Sequence, residues 1–244
     1  MPGVKRGAFV PQLYHPWVIR RGGSDGGGRV ITAIHRRLGL CYDDVMNEYV
    51  HPRSVRYSTQ AAEGLPRWRW TVADIRKAIE AGILDSDDPF ELIGGEIVPM
   101  AAKGNRHSRV CAELMMHWGG KRPGHIKFGA EAPIELSEID WPEPDFLFHP
   151  AAITLDVLTG TSVSLIVEVS DSSVYKDLNL KASRYAQFGV REYWVINARS
   201  LRTTVHKLPA ADGFGSITER SPSEMLVPEL VPDMSVRLSD LDLA

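Results

Sequence analysis

Residues 164–196 read SLIVEVSDSSVYKDLNLKASRYAQFGVREYWVI, a stretch whose pattern changes from strand to helix and back. Ser164 to Val169 is a nearly unbroken apolar run, the pattern of a strand covered on both faces. Asp177 to Phe188 then reads as a helix stopped by Gly189, and Glu192-Tyr193-Trp194-Val195-Ile196 reads as another strand. Strand, helix, strand in that order predicts a parallel crossover unit, because parallel strands cannot be joined by a hairpin.

Working outward, Thr203 to Lys207 is a further strand, and Ile126 to Phe128, Ala132 to Leu136 and Phe146 to Phe148 are strand candidates upstream. From Arg106 to Trp118, residues Val110, Cys111, Leu114, Met115 and Trp118 form a helical stripe, and Gly119-Gly120 can close that helix in a left-handed cap. Gly94-Gly95 between Phe90-Glu91-Leu92-Ile93 and Glu96-Ile97-Val98 predicts a tight hairpin. Thr71 stands as an N-cap with Asp74 three residues on, and Ile75, Ile79 and Ile83 recur at helical spacing in a helix ending near Gly82. The expected class is α/β, a mixed central sheet flanked by helices.

The 244 residues, 43% hydrophobic and 24% charged, suit one large domain plus an extension. The composition changes near Leu65-Pro66. Residues 1–65 form a basic, glycine-rich N-terminal extension, and residues 66–244 the domain. Residues 1–70 hold 11 Lys or Arg against 5 Asp or Glu, leaving 17 against 26 for the remainder. A basic segment of this kind is either a solvated extension or an arm for nucleic acid. No run approaches ~18 apolar residues, so no membrane partner is expected and the cytoplasm is the expected location. Cys41 and Cys111 make no disulfide framework and lack the paired spacing of a zinc site; neither is expected to be needed for function.

Glu168 is the informative residue, because it interrupts a strand that is otherwise apolar. A carboxylate desolvated there costs several kcal/mol unless it is paired, protonated or bound to a metal. Its candidate partners are Asp145, which follows Pro144 at the start of another strand, and Lys181. The alternative is a surface ion pair at a frayed strand end. Leu178, Lys181, Tyr185 and Phe188 share one helix face, which a crossover helix packs against the sheet. Lys181 then either reaches Glu168 or pairs with Asp177 one turn away. Two carboxylates and a lysine at a sheet end form a workable phosphodiesterase site, since magnesium takes oxygen ligands from one or two carboxylates and leaves positions for water and phosphate.

Phe90-Glu91-Leu92-Ile93-Gly94-Gly95-Glu96-Ile97, His107, Pro144-Asp145, Val167-Glu168-Val169-Ser170, Asp177, Lys181, Tyr185 and Gly189-Val190-Arg191-Glu192-Tyr193-Trp194, in that order, resemble the Uma-two family of restriction endonucleases. That family is similar to the PD-(D/E)XK nuclease superfamily, and the match spans roughly Trp70 to Leu208. The resemblance implies a restriction-endonuclease-like fold and an endonuclease acting on nucleic acid, DNA before RNA, with magnesium or manganese as cofactor. It implies Asp145 and Glu168 as metal ligands, with the backbone carbonyl of Val169 a third. Ser170 stands where the superfamily motif has its lysine, and Lys181 on the following helix matches the Uma-two position. Asp171 stands where the family often has proline, and Asn197 where it often has aspartate.

The resemblance also puts His107 near the site as an acid/base or phosphate contact, against a reading as a first-turn surface histidine. Glu91 and Glu96 alternate with apolar neighbours as solvent-facing hairpin residues do, and Glu91 is the better candidate for an additional acidic ligand. Tyr193-Trp194 reads as core. His117, His125, His149 and His206 lack metal-ligand spacing. Lys103, Arg106, Arg109, Lys121 and Arg122 around the second helix are the local basic candidates for phosphate contact. A homodimer is left open. The competing class is a non-catalytic nucleic-acid or protein-binding module on the same fold.

Overall fold

The computed structural model describes residues 67–243. The expectations for residues 1–65, the boundary at Leu65-Pro66 and Cys41 lie outside these residues.

The crossover is the centre of the molecule. Strand β5 (Leu165–Ser170) pairs in parallel with β6 (Glu192–Asn197), while β3 (Ile126–Ala130), β4 (Phe146–Pro150), β7 (Thr203–Ala210) and β8 (Gly213–Arg220) add antiparallel neighbours. The result is a six-stranded mixed sheet in the order β3-β4-β5-β6-β7-β8. All six residues of β5 are buried, which is why its sequence carries no polar alternation.

The period of two sorts the sheet's side chains into two cores. On one face Phe146, Phe148, Leu165, Val167, Val169, Trp194 and Ile196 pack with Val110, Leu114 and Trp118 of helix α2 (Asn105–Lys121). On the other, Leu147, Ile166, Tyr193 and Val195 pack with Ala182 and Tyr185 of helix α3 (Ala182–Gln187). Glu168 has the parity of Ile166 and therefore belongs to the α3 face.

Helix α1 (Val72–Glu80) begins at Thr71, whose side chain accepts from the Asp74 amide while the Asp74 carboxylate accepts from the Thr71 amide. It packs on the hairpin β1 (Phe90–Ile93) and β2 (Glu96–Pro99) through Val72, Ile75 and Leu92. Gly94 and Gly95 turn that hairpin at φ of 62° and 82°. A small pair, β9 (Met225–Leu226) and β10 (Val236–Arg237), closes the chain over α2, where Trp118 Nε1 donates to the Met234 carbonyl at 2.8 Å.

Four local expectations need correction. Ala132 to Leu136 is no strand: Pro133 lacks an amide, and the Ile134 and Leu136 amides bond Pro142 and Asp140 within the same loop. Gly119-Gly120 does not cap α2, which runs through both to Lys121; the chain turns extended at Arg122, whose side chain donates to the Ile126 carbonyl. Ile83 is exposed, since α1 ends before it. The helix expected over Asp177 to Phe188 starts earlier, at Val174, and carries a π-helical turn, Lys176–Lys181, before α3, and Gly189 at φ 77° ends it as expected.

Candidate active site

Sheet register brings the first two acids together. Phe146 lies opposite Val167 across the antiparallel β4–β5 pair, so one step further sets Asp145 opposite Glu168. Asp145 is held by both oxygens: Oδ2 accepts the Val169 amide at 2.7 Å, and Oδ1 lies 2.9 Å from His107 Nε2. His107 is buried in the first turn of α2, so the surface-histidine reading is set aside. Burial works to raise the Asp145 carboxyl's pKa, but His107, the Val169 amide and Lys103 outweigh it and hold it below the ordinary range.

Glu168 is 4% exposed, so it is no frayed-end residue. Lys181 Nζ donates to its Oε1 at 2.8 Å, and the Tyr185 hydroxyl reaches the same oxygen at 3.3 Å. Lys181 does not pair with Asp177 as the local alternative had it; its second contact is Glu91 Oε1 at 2.7 Å. Asp177 instead accepts from the Ser170 and Ser173 hydroxyls. The π-helical turn carries both Asp177 and Lys181 inward; both are buried.

Glu91 corrects the hairpin reading. It is 1% exposed, whereas Glu96 faces solvent and pairs with Arg67. Its Oε2 takes Lys176 Nζ at 2.9 Å, and its Oε1 also accepts the Glu143 amide at 3.0 Å. The hairpin is fixed in place by Asp140, which accepts the Gly94 amide at 2.8 Å and meets Arg184 Nε at 3.4 Å.

One ammonium, Lys181, thus stands between two buried carboxylates, and their surroundings divide the charge. Burial opposes ionisation of Glu91, but Lys181, Lys176 and the Glu143 amide prevail and its pKa is lowered. At Glu168 burial prevails: Lys181 opposes it, but Asp145, Asp177 and Glu91 add repulsion, so its pKa stands well above the ordinary range. Lys181 is held fully protonated, because Glu168 and Glu91 outweigh its own desolvation.

These groups line one cavity of about 60 Å³, together with Lys103, Glu143, Asp171 and Lys176. That is room for a hydrated ion and phosphate oxygens, well below the volume of a site for a drug-sized molecule. Of the five basic candidates around α2, Lys103 reaches it, paired with Glu131 at 2.9 Å and 3.9 Å from Asp145. Arg109 and Arg122 instead donate to main-chain carbonyls. The Asn197 departure leaves the cavity untouched: Oδ1 accepts the Arg199 and Ser200 amides, both at 3.0 Å, as an aspartate oxygen would. Asp171 is tied to Arg199 Nε at 2.6 Å.

A family model described as Uma-two, putative restriction endonuclease, matches residues 77–242, well over half of the chain. The chain belongs to the Uma-two family. A solved structure of a putative nuclease from Anabaena variabilis ATCC 29413 matches this Uma-two chain with a TM-score of 0.54 at 14% identity, covering 70% of this chain and 96% of that one. At that identity the likeness shows the fold: the mixed α/β sheet expected from the crossover, in the nuclease form that the resemblance implied. No curated protein matches the chain. Among the described residues no helix is long and apolar enough to cross a membrane.

Glu143 and Lys176 were absent from the expected site, and Lys103 was expected only as one of the basic candidates around α2. Glu143 and Lys103 sit in loops whose sequence carries no periodic signal. Lys176 is one step off the helix face that the regular period selects, and the π-helical turn brings it in. Cys111 does not line the cavity, but its Sγ lies 3.7 Å from His107 Nε2, one helical turn away.

Proposed function

We propose that this Uma-two chain hydrolyses phosphodiester bonds, in DNA before RNA, with magnesium or manganese held by Asp145, Glu168 and the backbone carbonyl of Val169. The observation that carries the reading is the convergence of Asp145, Glu168 and Lys181 in one small cavity at the end of β5. The family's description as a restriction endonuclease supports DNA over RNA. A hard divalent cation fits the donors: they are carboxylate oxygens, and Glu168 is buried among acids with too little positive charge, a deficit that a cation relieves. Such an ion, when bound, neutralises charge on phosphoryl oxygens and lowers the pKa of water.

The chain's own groups do the rest. Lys181 spends two of its three N–H donors on Glu91 and Glu168, leaving the third for a phosphoryl oxygen as charge develops there. Glu91 and Lys176 fix the position of that ammonium. His107 orients Asp145, and Lys103 and Lys176 face the cavity where flanking phosphates would enter. No covalent intermediate is needed. A non-catalytic module has no need to keep all three of Asp145, Glu168 and Lys181, and nothing in the geometry favours it.

The test is cleavage of supercoiled and single-stranded DNA by the purified chain with magnesium or manganese. Chelation should stop it, and Glu168→Ala or Asp145→Ala should lower the rate by at least ~100-fold, the upper loss seen when even an outer partner of a metal ligand is removed. Full activity in folded Glu168→Ala would overturn the proposal.

A further inference from the structure

We infer that His107, Cys111 and Asp145 form a second cation site, for a borderline or soft divalent ion such as zinc or cadmium, and that filling it disables the proposed hydrolytic centre. The second half rests on the proposed function; the first half does not.

His107 and Cys111 stand one turn apart on α2, the step that puts two side chains on one helix face and lets helices supply pairs of zinc ligands. Cys111 Sγ lies 3.8 Å from His107 Nδ1 and 3.7 Å from Nε2, and Nε2 lies 2.9 Å from Asp145 Oδ1. One ligand atom from each of the three residues falls within 4.8 Å of the others. Zinc bonded to sulfur, nitrogen and oxygen at ~2.0–2.3 Å in a tetrahedron sets neighbouring ligand atoms roughly 3.3–3.8 Å apart. The cysteine–histidine edge already fits, the histidine–aspartate edge needs a modest opening, and the cysteine–aspartate edge lies within 4.8 Å, in reach of a side-chain adjustment.

Ligand chemistry separates this site from the proposed magnesium site. Thiolate and imidazole select zinc or cadmium, whereas magnesium prefers the oxygens of Asp145 and Glu168. Three protein ligands leave a fourth position for water, so the ion exchanges. Burial and the Asp145 charge push the Cys111 thiol up, so it remains a thiol until an ion displaces its proton to solvent. Asp145 belongs to both sites, so the two ions compete for one carboxylate.

The experiment uses the full chain carrying Cys41→Ser, so that Cys111 is the sole thiol. Metal-free protein is titrated with cadmium and followed by sulfur-to-cadmium charge-transfer absorption, with each variant's thermal transition confirming the fold. The expected result is a band saturating at one ion per chain. Adding Cys111→Ser should abolish it, and Asp145→Asn or His107→Gln should weaken the affinity at least ~10-fold. Absence of the band overturns the inference, as does a band of unchanged affinity in both Asp145→Asn and His107→Gln, which would mean the thiol alone holds cadmium. On active protein, zinc should inhibit reversibly, and Cys111→Ser, with its basal rate unchanged, should need at least ~10-fold more zinc; equal sensitivity overturns the inhibitory half. The expected band on a chain that cleaves no DNA supports the cation site and rejects the proposed function.

Discussion

Two buried glutamates lie in the same sheet under different conditions. Glu192, on β6, accepts Trp194 Nε1 at 2.7 Å on one oxygen and the Glu229 amide at 2.7 Å on the other, with Lys207 3.5 Å away. Glu168, on β5, has Lys181 and a long contact from Tyr185 on one oxygen, and among the described residues no donor is seen on the other. Glu192 is a carboxylate that the fold has satisfied. Glu168 is one that the fold leaves short of positive charge, and its neighbours Asp145, Asp177 and Glu91 deepen the deficit. Burial of an acid therefore does not mark a functional residue; burial without enough donors does.

The largest expected effect comes from exchanging the two acids for amides. Glu168→Gln should abolish metal-dependent cleavage and raise the thermal midpoint of the metal-free protein, because it removes a repelled anion. Glu192→Gln should keep cleavage and lose about 1–3 kcal/mol, since an amide nitrogen would face the indole or main-chain donors. If the two variants behave alike, the distinction between them fails.

Lys181→Met comes next. A positioned cation aimed at phosphoryl charge contributes ~3 kcal/mol, roughly a hundredfold in rate. The structure adds a cost that a surface pair would not carry: two buried carboxylates lose their common partner, and breaking a buried pair costs about 3–5 kcal/mol. Adding Glu91→Gln should restore much of the stability and none of the rate. Cleavage and thermal midpoint on one preparation separate the effects, and near-normal turnover in Lys181→Met would remove it from the site.

A smaller effect is the pH dependence of stability without metal. Glu91, lowered in the fold, contributes stability above the ordinary glutamate range that is lost as pH falls through its folded pKa. Glu168, raised in the fold, acts in the opposite sense: stability falls as pH rises from the ordinary range towards its folded value. The stability gained by Glu168→Gln should therefore be small in acid and grow with pH over that window. A difference that shrinks as pH rises would contradict the assignment of charge between the two. The smallest effect belongs to Tyr185→Phe, which removes the 3.3 Å contact and should cost about 1 kcal/mol or less with cleavage nearly unchanged.

What could be read from sequence followed from local periodicity. The covered strand, the crossover and the shared face of Lys181 and Tyr185 are properties of short windows, and they carried the fold and the Lys181–Glu168 pair. The rest depends on contacts between distant segments. Glu91 alternates like a solvent-facing hairpin residue, yet Lys176, 85 residues on, and the Glu143 amide, 52 residues on, enclose it. Asp145 was expected from its Pro-Asp dipeptide, but its hold on the Val169 amide comes from strand pairing and its contact with His107 from the packing of α2 on the sheet. The π-helical turn changes which residues of one helix face inward, and a regular 3.6-residue period has no place for it. Ala132 to Leu136 misled because its apolar residues alternate well enough for a strand while Pro133 and the Asp140 loop hold its amides elsewhere.

The central claim is that the charge deficit around Glu168 exists to hold a divalent ion. A crystal grown with manganese and measured for anomalous scattering tests it most directly. The account predicts one ion bound between the Asp145 and Glu168 carboxylates, with Lys181 beside it and no ion at Glu192. A fully occupied manganese elsewhere, with Glu168 still closed on Lys181 and nothing between the two acids, would contradict it.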